Sequence, residues 1–144
     1  MPKTSKGAKE LARLYSELSP EEQRQALTLI LGQDDPKQGW ITLPEVADWL
    51  EVSKAQAFRY AAAGRLLTNG KKRKSYRIAA VSVRLFLVEG VRDECVKNVQ
   101  RARSRGAARD LKNWERALVW AEEGCSMLRG WVTKREASVR LGLV

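Results

Sequence analysis

The chain contains no histidine. Without an imidazole there is no Ser-His-Asp or Cys-His pair to activate a nucleophile, and none of the usual histidine-containing zinc sets. Two cysteines, Cys95 and Cys125, are too few for a disulfide framework or a four-thiolate metal site, and they suit a reducing compartment as small buried apolar groups. No P-loop or metal-ligand pattern stands in for them, so the sequence predicts a protein that is not an enzyme, with no catalytic residue, metal or cofactor. Long apolar runs are missing too. Nothing approaches the ~20 residues of a membrane helix, and residues 1–10 carry no apolar run behind their lysines, which excludes a signal peptide. The expected setting is cytoplasmic, away from any membrane.

What is abundant is positive charge: 27 Lys and Arg against 17 Asp and Glu, a formal +10. The excess is local. Residues 1–38 hold six basic and six acidic side chains, residues 39–88 nine and three, and residues 89–144 twelve and eight. In the middle block Glu45, Asp48 and Glu51 all precede position 52, and no acid recurs before Glu89. Lys54, Arg59, Arg65, Lys71, Lys72, Arg73, Lys74, Arg77 and Arg84 therefore share one acid-free stretch. Ordinary solvated surfaces mix both signs, so this pattern implies a polyanionic partner.

Helical periodicity organises the flanks. Leu11, Leu14, Tyr15 and Leu18 form one stripe of a helix over about 5–18. Ser19, Pro20 and Glu22 make a capping box for a second, carrying Ala26, Leu27, Ile30 and Leu31 to a stop at Gly32. Residues 33–39 read as a linker. Next, Thr42 caps a helix with Pro44 in its first turn, Glu45 at the capping-box position and Val46, Ala47 and Leu50 facing inward. After a turn at 51–53, Ser53 caps a short helix that ends at Gly64; Ala57, Tyr60 and Ala61 face in, while Lys54, Gln56, Arg59 and Ala62 face out. Residues 66–68 and 75–78 read as two strands around Asn69-Gly70, with four basic residues at the tip. Val83, Phe86 and Leu87 begin another helix.

This order resembles the winged helix-turn-helix of the MerR and excisionase families. The resemblance covers about residues 40–88, carried by Ile41-Thr42-Leu43-Pro44-Glu45-Val46-Ala47-Asp48-Trp49-Leu50, Val52-Ser53, Phe58-Arg59-Tyr60, Ala63-Gly64-Arg65-Leu66 and Tyr76-Arg77-Ile78. Glu51 departs from it, standing where the family usually has glycine, and the tip is more basic than usual. The implied architecture is mainly α, with a small two-stranded β wing and helices on both sides.

That resemblance implies double-stranded DNA as partner. A helix starting at a Ser cap would place Lys54, Ala55 and Gln56 nearest the base edges, Gln56 being suited to bidentate contact with adenine. Arg59 would hold phosphate, as would Ser53 with the first-turn amides. Lys71, Lys72, Arg73 and Lys74 would reach the neighbouring minor groove or its phosphates, and Arg65, Tyr76 and Arg77 in the matching runs complete the expected contact set. With roughly six phosphates neutralised, the log-log salt slope should be near about −5.

Further on, Val83, Leu87, Val91, Cys95, Val99 and Ala102 form one stripe of a long helix, broken near 103–106. Leu111, Trp114, Leu118 and Ala121 then predict a second helix ending near Gly124. Helices over 83–121 suit either a homodimer interface or packing on the N-terminal hairpin. Arg101, Arg103, Arg105 and Arg109 cluster with no acid among them and could track phosphates or end a solvated helix. Residues 130–143 echo 39–52 with five identities, from Gly130-Trp131 against Gly39-Trp40 to Leu141 against Leu50, where roughly one is expected. The echo reads as the start of a second, truncated copy of the module, a decayed duplication, or coincidence. The expected four-part division is thus 1–38, 39–88, 89–129 and 130–144.

Together these features predict a sequence-specific, nucleoid-associated DNA-binding protein that regulates transcription. The alternative is an accessory factor of phage or mobile-element DNA, resembling a terminase small subunit or an excisionase, that assembles on DNA.

Overall fold

The structure, a computed structural model, describes residues 6–31 and 39–142. Helix α1 (Lys6–Ser16) buries Ala8, Ala12 and Ser16, a four-residue step of small side chains. The inner face is therefore rotated from the leucine stripe expected for it. Leu11 and Leu18 still pack on the core, but Leu14 is 47% exposed; Tyr15's side chain lies outside the described residues. Small residues win the inner face because α1 lies against the long helices described below. In α2 (Pro20–Leu31) the capping box forms as expected: the Ser19 amide donates to Glu22 Oε1 (3.1 Å) and the Glu22 amide to Ser19 Oγ (3.3 Å). That contact holds the Glu22 carboxyl below its ordinary pKa. Ala26 reaches the core. The side chains of Leu27, Ile30 and Leu31, the stop at Gly32 and the linker up to residue 38 lie outside the described residues.

From Gly39 to Gly64 the local signals hold. Strand β1 (Trp40–Ile41) leads into α3 (Leu43–Leu50), whose cap Thr42 donates to Glu45 Oε1 from its amide (3.3 Å) and its hydroxyl (2.9 Å). Glu51 ends α3 in the left-handed region (φ 53°, ψ 49°), and the Val52 amide closes back on the Ala47 carbonyl at 3.0 Å. Glu51 thus keeps the turn that glycine usually makes, at the cost of left-handed strain. Helix α4 (Lys54–Ala62) starts at Ser53 and stops where Gly64 (φ 78°) lets the Arg65 amide return to the Tyr60 carbonyl (3.0 Å).

The basic loop departs from the expected hairpin. The two-stranded sheet is not 66–68 against 75–78. It is β1 antiparallel to β2 (Ile78–Ala79), with Trp40 opposite Ala79 and Ile41 opposite Ile78. The other arm is reduced to a single bridge, Thr68 to Ile78, so β2 is central and bonded on both edges. Asn69 cannot occupy a two-residue I′ turn, which needs positive φ at both centres, because among the described residues only Glu51 is a non-glycine with positive φ. A longer loop forms instead, with a 3-10 turn at Arg73–Ser75. Below it, Ser82 is buried and ties the base: its hydroxyl accepts the Leu67 amide (3.0 Å) and donates to the Ala79 carbonyl (2.7 Å).

Helix α5 (Ala80–Arg105) serves three cores. Its first turns supply Ala80, Val83 and Phe86 to a cluster with Ile41, Val46, Leu50, Ala57, Tyr60, Leu66 and Ile78, each large side chain contributing about 1.5–3 kcal/mol. Farther along, Val91 and Cys95 pack with Ala12, Ala117 and Ala121, covered by Leu11, Leu18, Ala26, Trp114 and Trp120. The stripe that suggested a dimer interface is thus packed within the chain, because α1 and the last helix lie over it. Gly106 (φ 67°) makes the expected break.

Helix α6 (Ala108–Arg140) then overruns the expected end at Gly124 by sixteen residues. Gly124, Cys125 and Leu128 are buried, the last two against Val88 with Leu85, Trp120 and Trp131 around them. This burial outweighs the weak helix preference of Gly124 and Gly130. Residues 130–140 are consequently continuous helix, whereas 39–45 are strand, cap and first turn, so the sequence echo carries no repeated conformation.

Candidate nucleic-acid interface

The interface candidate is built on α4. Ser53 lies outside the helix with extended backbone, and its Oγ accepts the Gln56 amide at 3.1 Å, which leaves the amides just before Gln56 pointing out of the helix end. Burial of Ala57, Tyr60 and Ala61 orients the element. Ser53, Lys54, Ala55, Phe58, Arg59 and Ala62 are consequently exposed on the outer side, while Gln56 is half-buried.

Gln56 is not free to read a base as it stands. Its Oε1 accepts a hydrogen bond from Arg59 Nη1 at 3.1 Å, so the oxygen needed for adenine is already turned along the helix.

The loop contributes Lys71, Lys72 and Lys74, all exposed; Arg73 lies among them, its side chain outside the described ones. Asn69 organises the loop. Its side-chain oxygen accepts the amides of Lys71 (3.1 Å) and Arg77 (3.2 Å), and its Nδ2 donates to the Ser75 carbonyl (2.7 Å). Sequence reasoning placed Asn69 in the turn but missed this role, which only the loop's closed path reveals.

Two expected contact residues make contacts within the fold, Arg77 half-buried and Arg65 still exposed. Arg77 Nη1 donates to the carbonyls of Lys74 and Tyr76, both at 2.8 Å, and so braces the loop. The Arg65 guanidinium lies over Phe86 (4.6 Å) and Tyr60 (5.6 Å), as a cation on two aromatic faces. Tyr76 is half-buried, which pushes its phenol above its ordinary pKa and keeps the hydroxyl protonated. Its ring meets Phe58 of α4 with centroids 6.5 Å apart and planes tilted by 49°. That contact joins the outer face of α4 to the foot of the loop. Phe58, 53% exposed, is the residue sequence reasoning left out of the site.

Among the described residues, Lys54, Arg59, Lys71, Lys72 and Lys74 form no ion pair with an acid, which agrees with the acid-free stretch. The second basic cluster differs. Arg103 pairs with Glu115 (3.4 Å) and Arg105 with Asp110 (3.7 Å), because α6 turns back beside the end of α5 and brings its first acids across. Beside it Lys97, Gln100, Arg101, Ser104 and Arg105 line a cavity of about 500 Å³.

Among the described residues no group of acids and cysteines could hold a metal, and no helix is long and apolar enough to cross a membrane. No family model matches the chain, and neither does any curated protein or solved structure.

Proposed function

We propose that residues 39–88 are a winged helix-turn-helix that binds double-stranded DNA, with α4 in the major groove and the basic loop on the adjoining backbone or minor groove, and that the protein regulates transcription. The observation that carries this reading is the set of cations without acidic partners, on two elements joined by the Phe58–Tyr76 contact. Six exposed cations not offset by acids, Lys54, Arg59, Arg65, Lys71, Lys72 and Lys74, repel one another, and phosphates spaced along a duplex offset that repulsion while releasing counterions. The Ser53-capped start of α4 adds outward amides for one phosphate. Arg77 leaves the primary contact set and acts as a brace; Ser53, Lys54, Ala55, Arg59, the exposed Arg65 and the loop lysines remain.

The test is fluorescence anisotropy with a labelled random duplex, titrated from about 50 to about 200 mM salt, beside a duplex selected from a random pool. The reading expects a log-log slope near about −5 and a selected duplex bound at least about a thousandfold more tightly than random DNA. A protein that binds no duplex at the lowest salt overturns it.

A further inference from the structure

We infer that Phe58 is a specificity-determining contact that reads the 5-methyl group of a thymine in the major groove, an inference that rests on the DNA-binding reading above. Phe58 is 53% exposed although it sits mid-helix, one position from the buried Ala57 and two from Tyr60. Its neighbours one turn away on the same face are Lys54, Ala55 and Ala62, all exposed. Two of these are alanines, so the phenyl ring stands above its surroundings as the one bulky apolar group on that face. Tyr76 supports it from the loop side at 6.5 Å. A rigid ring with two side-chain torsions, held by a second ring, loses little conformational freedom on docking.

The surroundings select the occupant. Lys54, one turn before Phe58, and Arg59, next to it, are exposed without acidic partners, and Tyr76 belongs to the segment that carries the exposed loop lysines, so a partner that covers Phe58 must bring negative charge around an apolar spot. The major groove of duplex DNA does this, with phosphates on both rims and, among its base edges, one methyl group, that of thymine. An apolar protein surface would instead leave Lys54 and Arg59 desolvated. Gln56, whose oxygen is engaged by Arg59, is the weaker base reader of the two.

The experiment uses the whole chain and the duplex selected from a random pool, with each thymine replaced in turn by uracil, which keeps base pairing and removes only the methyl. Wild-type protein should lose about fourfold in affinity at one or two positions, the worth of one buried methyl. Phe58→Ala should lose at least as much on the thymine duplex and show no further loss on the uracil duplex, while keeping the wild-type salt slope on random DNA. Phe58→Leu should retain part of the discrimination. Equal thymine and uracil affinities for wild type, an undiminished preference in Phe58→Ala, or a selected site without thymine overturns the inference and leaves DNA binding standing. A change in self-association on Phe58→Ala with unchanged DNA binding also overturns it. Loss of all duplex binding by the wild type overturns both readings.

Discussion

Asn69 and Arg77 grip each other twice across the base of the basic loop. The Asn69 backbone amide donates to the Arg77 carbonyl at 3.0 Å, and the Asn69 side-chain oxygen accepts the Arg77 amide at 3.2 Å. One residue thus supplies both the last rung of the 68–78 pairing and the clamp that closes the loop. In Asn69→Ala three side-chain hydrogen bonds disappear, each with a net worth of about 1 kcal/mol. Amide hydrogen exchange at Lys71 and Arg77 should accelerate at least about tenfold, while the buried Val46 and Val83 amides hold their protection.

Replacing Lys71, Lys72, Arg73 and Lys74 together by alanine should weaken binding to all duplexes alike and flatten the salt slope by about three. Thermal stability should hardly move, since the three lysines are exposed and the clamp from Asn69 uses backbone groups of this segment. A slope unchanged from wild type would remove the loop from the interface.

Glu51 holds φ 53° where glycine is at ease. Glu51→Gly should raise stability by about 1 kcal/mol, which for a chain of this length is a shift of about 4 °C in melting temperature. Glu51→Ala is the control, because alanine keeps the Cβ that causes the strain. Equal melting temperatures for the two variants would show that the gain comes from charge removal, not from backbone relief.

Gly130 lies within α6, and a Cβ added there meets no atom within 4 Å. Gly130→Ala should therefore stabilise by about 0.5–1 kcal/mol in urea unfolding, the ordinary helix-interior gain. A loss of stability would show that residue 130 is not helical.

Burial pushes the Cys95 thiol up to about 12. The folded state keeps this proton more tightly than the unfolded chain does, so the corresponding stability is fully present below pH 9 and is lost as pH rises from about 9 towards 12. At one unit above the unfolded value, wild type should have lost about 1 kcal/mol more than Cys95→Ala, relative to each protein at neutral pH. Urea midpoints at about pH 7 and about pH 10 measure it. Parallel losses in the two proteins would refute the buried-thiol account.

The candidate site was legible to the extent that its signals are local. Thr42, Ser53 and Gly64 set helix boundaries through bonds within five residues, and the acid-free stretch was visible by inspection. The contacts of Arg77 and Arg65 were not, because each depends on partners supplied by the fold: loop carbonyls for one, the Phe86 ring twenty-one residues on for the other. Phe58 was passed over for the related reason that an aromatic mid-helix is usually core. Its exposure follows only once Ala57, Tyr60 and Ala61 take the inner face.

By itself, the amino-acid sequence determined where α3 and α4 begin and end, which of their residues face inward, and that the positive charge concentrates on one unit, since caps, periodicity and charge act over a turn or two. Tertiary structure decided the rest. It paired β2 with β1, a strand some forty residues earlier, because Ile41 and Ile78 share one core. It carried α6 through two glycines because Cys125 and Leu128 find Val88 on α5. It also packed the apolar stripe of α5 against α1 and α6. Apolar burial has no direction and no memory of sequence distance, so the choice among possible partners is made only when the whole chain is folded.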